Sequence, residues 1–491
     1  MASKKVIVVG GGLSGLSAGA LLARRGFDVT ILEKQARPGG VAGQYKSKGF
    51  SFDMGPSWYL MPEVFERFFG LFGKRPDNFF DLIRLDPYYK AFFENGETAE
   101  VTPDIKATYD LFDRLEHNGG EKLKRYLDLA KYKYDVAIGE FLYRDYARLS
   151  DFFNRRILVE GLRLHIFQKL DRYISRFFSD DRAKKLLEYN IVFLGCSPYK
   201  SPALYSLMSY VDLCLGVYYP RGGMYNLATA LERLARENGA HISYGREVNK
   251  ISVSGNRATS VVTQHETHEA DVVLVGADYH HAETQLLDHA SRSYPEAYWS
   301  RKLLAPSAFI MYLGVEKKLP GLQHHNLFLA RDWDRHFGSI FDRPSWPDNP
   351  SYYVACPSKT DTTVAPPGGE NVFVLVPVAP GIADSDGVRE AFADKIIRHL
   401  EGLIQTRFSD TLSVKRIFSQ RDFSQQFNLY RGTAMGMAHT LWQTAFFRPS
   451  HTSKKVLNLY YTSHYTHPGI GLPMVLISSQ IVCDTIIRDC V

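Results

Sequence analysis

Two hydrophobic patterns alternate along the first forty residues of the chain. An unbroken apolar run from Lys5 to Val9 leads at once into a glycine turn and then into a helix that continues to about Arg25. A second short apolar run, Val29 to Glu33, ends in an acidic residue. Continuous apolar runs of this length are typical of strands buried on both faces of a parallel sheet. The pattern therefore predicts a strand–helix–strand unit at the start of the chain.

The rest of the chain divides into parts with different patterns. The segment after residue 121 is rich in helices, and the segment after residue 301 is rich in strands. The strand and helix patterns of the first forty residues return after residue 219. At 491 residues the chain is also longer than one core usually holds. We therefore predict an α/β fold in which two of the three parts are discontinuous in sequence. These parts are a Rossmann-type dinucleotide-binding domain (residues 1–60, 219–300 and 450–491), a β-sheet substrate-binding domain (61–120 and 301–449) and a helical subdomain (121–218).

The glycine turn has the spacing G-x-G-x-x-G, formed by Gly10, Gly12 and Gly15. In such a turn the first glycine permits the tight bend, the second lets a pyrophosphate approach the backbone, and the third lets the helix pack on the strand. The helix N-terminus then faces the phosphates with free N–H groups and a partial positive charge. Glu33 stands about 20 residues downstream, where an acid binds the ribose 2′-hydroxyl and disfavours a 2′-phosphate. The predicted ligand is an adenine dinucleotide, either FAD or NAD.

Two more glycine-rich loops follow this unit, Ala36–Gly43 and Gly49–Ser57. A NAD dehydrogenase needs nothing like them, whereas an extended FAD needs backbone amides further along the chain for its ribityl group and flavin ring. The Gly39-Gly40 pair and the stretch Phe52-Asp53-Met54-Gly55-Pro56 make the chain resemble the flavin amine oxidase and carotenoid desaturase superfamily.

The turn Thr466-His467-Pro468-Gly469-x-Gly471-x-Pro473 is similar above all to that of bacterial and fungal phytoene desaturases. Five other segments share this similarity: residues 190–198, 216–224, 323–326, 356–361 and 447–449. The resemblance implies an FAD-dependent oxidoreductase of carotenoid biosynthesis with a Rossmann-type FAD-binding domain. The cofactor-binding residues that it implies are Gly10, Gly12, Leu13, Ser14, Gly15, Glu33, Lys34, Gly40, Val41, Gly55, Pro56, Ser57, Val248, Ala277, Asp278, Tyr465, Gly471 and Met474.

The chain departs from the family's pattern at two places. Val41 stands where many members carry arginine, which leaves a phosphate contact to backbone groups or to a cation from elsewhere. The tripeptide Ser463-His464-Tyr465 replaces the family's Gly-Ala-Gly, so larger side chains are expected beside the flavin. We still expect the C-terminal helix, beginning near Met474, to direct its positive end at the flavin pyrimidine.

Desaturation removes a hydride and a proton from adjacent carbons. The flavin accepts the hydride, so the protein mainly binds, orients and excludes water. An acyclic terpenoid has almost no polar group, which predicts a long apolar tunnel; Ala308–Val315 and Leu204–Tyr218 are candidate walls, although core packing explains them equally well. No Ser-His-Asp arrangement, paired carboxylates or metal-ligand spacing stands out. The catalytic candidates are His467 and Arg448, which either assist proton loss and stabilise a cation or only fix the loop.

Charge is unevenly distributed along this chain, whose net charge is +6. Residues 121–185 carry 16 Lys and Arg against 10 Asp and Glu, interleaved with aromatics. Either the aromatics form the core of a helical cap whose arginines are solvated, or the region is membrane-facing, with arginines meeting anionic headgroups. A substrate that lives in a bilayer favours the second interpretation. No nucleic-acid-reading module accompanies the charge, so a nucleic-acid partner is not expected.

Several features bear on location. No stretch of about 18 uncharged apolar residues appears, and the first strand begins at Lys5, which leaves no room for a signal peptide. The five cysteines are scattered without metal or redox spacing. We expect reduced thiols in a cytoplasmic protein that associates peripherally with a membrane surface. No residue pattern indicates an oligomeric state.

Three functional hypotheses follow. The first is a desaturase that converts phytoene towards lycopene or an intermediate. The second is a desaturase of the C30 analogue diapophytoene, or a later-stage carotenoid desaturase or oxidase, because tunnel length and end-wall shape cannot be read from sequence. The third is a non-catalytic prenyl-lipid escort protein on the same fold, which would bind no flavin.

Overall fold

The computed structural model describes residues 3–145 and 163–490 of the chain. Its first layer is a five-stranded parallel sheet, which we call the nucleotide sheet. In spatial order its strands are Leu459–Tyr461, Val272–Val275, Lys5–Val9, Asp28–Glu33 and His241–Tyr244. Because these strands come from three distant parts of the chain, the nucleotide sheet is discontinuous in sequence, and the predicted α/β architecture is confirmed.

The strands of the nucleotide sheet are apolar throughout because both faces are covered. Val6 and Val8 pack under helices Leu13–Arg24, Tyr225–Glu237 and Leu472–Cys490, whereas Ile7 and Val9 face a second cluster that includes a three-stranded antiparallel sheet. The strands of that smaller sheet are Val248–Ser254, Arg257–Thr263 and Thr267–Glu269. Helix Pro62–Gly70 joins the first cluster through three phenylalanines, Phe65, Phe68 and Phe69.

The second layer is a mixed seven-stranded sheet, which we call the substrate sheet. In spatial order its strands are Leu412–Phe418, Ser307–Val315, Glu370–Val378, Tyr352–Ala355, His325–Leu329, Tyr89–Phe93 and Thr98–Val101. Helix Asp386–Ile404 packs on one face with Phe392 and Ile396, and the other face joins the core of the helical region. Two small ribbons complete the strands: Gln44–Ser47 with Phe50–Asp53, and Leu82–Arg84 with Tyr218–Pro220.

The helical region (residues 121–218) follows strand Thr98–Val101 of the substrate sheet in sequence and precedes strand His241–Tyr244 of the nucleotide sheet. Its helices are separated by tight turns. The remaining helices of the described chain are Ile105–Leu115, Gly119–Val136, Leu170–Ile174, Asp181–Glu188, Leu207–Tyr210, Tyr279–His281, Glu296–Trp299, Trp333–Phe341 and Gln420–Phe427. A π-helical turn, Ala137–Phe141, follows Val136. The domain boundaries drawn from the sequence stay a prediction.

The aromatic residues of the basic helical region do not share one environment. Tyr173 and Phe178 are 2% exposed and pack in the core around Tyr126, whereas Phe167 is 73% exposed. The core interpretation therefore holds for the first two. Arg155 and Arg156, two of the 16 basic residues of the predicted membrane-facing region, lie outside the described residues. No helix within residues 3–145 and 163–490 is long and apolar enough to cross a bilayer. All five cysteines have free thiols.

Candidate cofactor and substrate site

A cavity of about 1050 Å³ opens at the carboxyl ends of the nucleotide strands and continues along the substrate sheet. Its nucleotide portion is lined by the glycine turn, Glu33, Val248 and Ala277. Its apolar portion is lined by side chains of the substrate sheet and the helical region. All of the predicted cofactor residues except Gly15 and Tyr465 line this cavity. Ligand sites at the carboxyl ends of parallel strands are the rule for open α/β sheets.

The three glycines of the turn have three different surroundings. Gly10 has φ +100°, a conformation that side chains rarely adopt. A Cβ atom on Gly15 would stand 2.0 Å from the Gly10 carbonyl oxygen, so Gly15 is a packing glycine inside the turn. A Cβ atom on Gly12 would meet no atom within 4 Å, because Gly12 faces the open cavity. The turn thus leaves backbone room for a phosphate at Gly12 only.

Glu33 is held by backbone amides at the end of its strand. Its side chain accepts hydrogen bonds from Gly11 N at 2.6 Å and from Gln35 N at 2.7 Å, one on each oxygen. Glu33 is 5% exposed, and burial raises the pKa of the carboxyl although these amides oppose the shift. Each oxygen keeps lone pairs for a ribose hydroxyl. The acid therefore has both the place and the acceptor capacity that a nucleoside requires.

The loop that contains Gly40 and Val41 is tied to the glycine turn by a hydrogen bond from Gly39 N to Gly11 O at 2.9 Å. Gly55, Pro56 and Ser57 line the cavity as well. No arginine from this loop reaches the cavity; the cations among the described lining residues are Lys34 and Arg246.

Lys34 lies at the nucleotide portion between two polar neighbours. Its Nζ donates to Asn428 Oδ1 at 3.0 Å and stands 3.6 Å from the Glu247 carboxylate. Asp278 closes the same wall, and its Oδ1 accepts from His281 N at 2.9 Å. Burial of Asp278 raises the pKa of its carboxyl.

The C-terminal helix points its N-terminus at the cavity. Gly471, Leu472, Pro473 and Met474 all line it, and the helix runs from Leu472 to Cys490. The helix therefore begins two residues before the predicted start at Met474. Free N–H groups and the helix dipole at this end favour negative charge, as expected beside a reduced flavin.

Arg448 and Tyr465 lie behind the cavity wall. The Arg448 guanidinium, 5% exposed, donates to four carbonyl oxygens, those of Met437, Gln443, His464 and Tyr465. Burial without a carboxylate lowers its pKa to about 10. The Tyr465 ring is fully buried and packs edge-on against Trp299. The structure thus does not bring either side chain to the cavity, because the loop around residues 463–467 encloses both.

His467 does line the cavity. Its Nε2 lies 3.2 Å from the Phe141 carbonyl oxygen at the π-helical turn. Burial, aided by His451 and Arg448, lowers the pKa of His467 to about 3, so its ring is neutral near pH 7. A neutral imidazole does not supply a permanent charge to stabilise a cation. Any catalytic role of His467 stays a prediction.

Comparison with known proteins decides the family. The flavin containing amine oxidoreductase family matches residues 13–487. The chain is 42% identical over 490 residues to the carotenoid 3,4-desaturase of Haloarcula japonica, covering 100% of this chain and 99% of the relative. It is 35% identical to the zeta-carotene-forming phytoene desaturase of Myxococcus xanthus, covering 98% and 93%. It is 31% identical to a 4,4′-diapophytoene desaturase of Staphylococcus aureus, covering 99% of each. The chain belongs to the carotenoid desaturase family.

Solved structures agree with this family at the level of fold. An oxidoreductase from Methanosarcina mazei matches with a TM-score of 0.63 at 17% identity, covering 97% of this chain and 98% of the other. Wild-type putrescine oxidase matches with a TM-score of 0.63 at 14% identity, covering 99% of each. The family makes this protein an FAD-dependent oxidoreductase. Its own residues fit FAD, because the open side of Gly12 would accommodate a pyrophosphate and the carboxylate of Glu33 would accept from a ribose hydroxyl.

Two cavity residues, His439 and Thr444, are not among the predicted site residues or wall segments, whereas Tyr205 belongs to the candidate wall Leu204–Tyr218. His439 Nε2 accepts a hydrogen bond from Ile470 N at 3.1 Å, which leaves Nδ1 to donate to Tyr205 Oη at 2.6 Å. The Tyr205 hydroxyl then donates to Thr444 Oγ1 at 2.8 Å. Burial holds the pKa of His439 well below its usual range. These residues lie far apart in sequence and carry no shared local pattern, although each interrupts an apolar segment.

Proposed function

We propose that this enzyme desaturates an acyclic C40 carotenoid. The observation that carries the proposal is the continuity of one cavity, which passes from the nucleotide portion to an apolar portion lined by Phe193, Ile310, Leu327 and Phe337. FAD supplies the hydride acceptor, and the surrounding side chains orient the hydrocarbon and exclude water. Such a cavity has the composition that a substrate without polar groups requires.

The relatives favour one position of the new double bond over others. Identity is 42% to the carotenoid 3,4-desaturase and 35% to the phytoene desaturase. We therefore place desaturation of the 3,4 bond of an already conjugated carotenoid first and desaturation of phytoene towards lycopene second. The C30 alternative is supported by 31% identity to a diapophytoene desaturase.

Expression in three host strains tests the proposal, each strain accumulating only lycopene, only phytoene or only diapophytoene. We expect new double bonds at the 3,4 positions in the lycopene strain, read by absorption and mass spectrometry of the extracted pigments. A Gly12→Val variant is the matched control, because its side chain enters the space for the cofactor. Unchanged pigments in all three strains, with FAD-loaded protein present, would contradict the proposal. Protein that cannot take up FAD would support an escort role instead.

We also propose that the mouth of the cavity rests on a lipid bilayer. Three cavity-lining aromatics are exposed, Phe167 (73%), Trp442 (68%) and Phe447 (43%). The Trp442 and Phe447 rings contact each other with centroids 5.3 Å apart. Exposed aromatics beside an apolar opening are typical of surfaces that bind partners or membranes. This mouth would let a lipid-dissolved substrate enter without crossing water.

A further inference from the structure

One acidic side chain is buried beside the apolar portion of the cavity, far from the cofactor residues in sequence. Asp212 lies in the π-helical turn Val211–Leu215 and is 2% exposed. Its Oδ2 accepts hydrogen bonds from Tyr189 Oη at 2.7 Å and from Tyr89 Oη at 3.1 Å. Its Oδ1 has no hydrogen-bond partner within the described residues. No lysine or arginine of the described chain forms an ion pair with it.

Tyr189 connects this carboxyl to the cavity. It lines the cavity at the start of the turn Tyr189–Leu194, whose Phe193 lines it as well. Its ring packs against Trp58, another lining residue, with centroids 6.2 Å apart. The carboxyl of Asp212 therefore stands one hydrogen bond behind the wall of the apolar portion. The other acids that line the cavity, Glu33, Glu247 and Asp278, lie at the nucleotide portion instead.

The surroundings of Asp212 bring the pKa of its carboxyl close to neutral pH. Burial raises the pKa of its carboxyl to about 7, while the two phenol donors lower it. The other polar groups facing it are Tyr88 and Cys214, and Tyr88 in turn accepts from Arg84. A carboxyl in this position exists in both protonation states near neutral pH. A proton can therefore be stored there and released.

We propose that the Tyr189–Asp212 pair accepts the proton that desaturation releases. The inference rests on the proposed function, which requires a hydride and a proton to leave adjacent carbons. Bound FAD would supply the hydride acceptor, while the C–H bond on the neighbouring carbon breaks and its electron pair forms the second bond of the new double bond. The released proton forms an O–H bond at Tyr189, whose own proton passes to Oδ2 of Asp212. The products of this transfer are a neutral phenol and a neutral carboxylic acid, and the proton returns to solvent after the product leaves.

Under this proposal Tyr189 is the catalytic residue and Asp212 acts through it. The acceptor works only as a carboxylate, so the rate of flavin reduction by substrate should rise with pH through about 7 and level off above it. In Asp212→Asn the rate should fall about a hundredfold to ten-thousandfold and lose this pH dependence. Tyr189→Phe should cause a loss of the same order. The assay uses holoenzyme on liposomes with lycopene, phytoene or diapophytoene, under anaerobic single-turnover conditions.

Two further variants separate proton transfer from a structural effect. Tyr89→Phe removes a donor that stabilises the charged carboxyl, so the rising limb should move to higher pH while the plateau rate is kept. Glu188→Gln changes the neighbouring buried acid, which does not line the cavity, and should keep the wild-type pH profile. The infrared difference spectrum, wild type minus Asp212→Asn, should contain a protonated-carboxyl band that titrates near pH 7, because bands of the other buried acids, such as Glu188, cancel in the difference.

The outcomes are distinguishable. Suppose that at least one carotenoid reduces the wild-type flavin, and that Asp212→Asn keeps both the wild-type rate and its rise with pH. The inference is then overturned, while the proposed function stands. If the rise of the rate with pH does not shift in Tyr89→Phe, or the difference spectrum contains no carboxyl band that titrates near pH 7, the inference is overturned as well. If no carotenoid reduces the wild-type flavin, the proposed function fails and the inference with it. Should Asp212→Asn not retain FAD, the Tyr89→Phe shift still decides.

Discussion

The two portions of the cavity are built by different means. In the nucleotide portion, backbone atoms set the shape: Gly12 faces open space, and two amides hold Glu33. In the apolar portion, side chains set it: Tyr189, Phe193 and Ile310 come from segments far apart in sequence. A backbone-built site tolerates few substitutions at the glycines that shape it. A side-chain-built site changes with each substitution, which allows one fold to serve different hydrocarbons.

The largest expected effect is at the glycines of the nucleotide portion. Gly15→Ala places a methyl group 2.0 Å from a carbonyl oxygen and should cost about 4 kcal/mol or more of the free energy of unfolding. Gly12→Ala meets no protein atom and should leave the apoprotein stable, while weakening FAD binding. Thermal denaturation of apoprotein and flavin titration measure the two effects. Equal stabilities of the two apoprotein variants would contradict the distinction between packing and cofactor glycines.

Arg448 should have the next largest effect, because it joins the flavin-proximal loop to the rest of the protein. Lysine cannot reproduce the planar guanidinium that serves four carbonyls, so Arg448→Lys should cost about 3 kcal/mol of stability and release flavin. Arg389→Lys is the matched control. Arg389 is as buried but pairs with Asp384 and Asp422 and does not line the cavity, so this variant should lose stability and keep its flavin. Normal flavin content in Arg448→Lys would contradict the anchoring role.

This contrast also explains what the sequence could predict. The first strand, the glycine turn and Glu33 lie within about thirty residues and follow a fixed spacing that physical chemistry requires, so the strand–helix–strand start of the nucleotide sheet could be predicted. The cofactor residues stay predictions, most of which line one cavity. Sequence could not show that the loop folds over Tyr465 and Arg448, and the four carbonyl contacts of Arg448 fit the alternative in which it only fixes the loop. A motif identifies a loop near the flavin, but the direction of each side chain depends on tertiary packing.

Sequence could predict that the substrate portion of the cavity is apolar, but not which side chains line it. Leu204–Tyr218 was a candidate wall, and Tyr205 and Met208 of this segment do line the cavity. Asp212, the one acidic residue in that segment, is not among the predicted site residues, although a lone carboxyl in an apolar segment is a signal in itself. Its tyrosine partners could not be inferred, because Tyr89 is 123 positions away in the chain. Exposed and core aromatics are likewise indistinguishable by sequence, as Phe167 and Tyr173 demonstrate.

The smallest expected effect concerns the mouth, where the apolar portion meets its surroundings. Trp442→Ala should weaken binding to liposomes about tenfold, because inserting a large apolar side chain contributes about 1.5 kcal/mol or more. Leu457→Ala is the matched control, since Leu457 is 61% exposed but does not line the cavity, and it should bind as the wild type does. Flotation with neutral and with anionic liposomes separates aromatic insertion from attraction by charge.

The competing explanation is the basic helical region. Reversal of Arg155, Arg156 and Arg163 to glutamate should reduce binding to anionic liposomes and leave binding to neutral ones unchanged, since headgroup attraction requires opposite charge. Loss of neutral-liposome binding in Trp442→Ala, but not in the arginine reversal, would assign the docking surface to the aromatic mouth. Unchanged flotation of a Trp442→Ala/Phe447→Ala double variant would contradict that assignment. The substrate would then have to reach the apolar portion by a route other than its exposed aromatic opening.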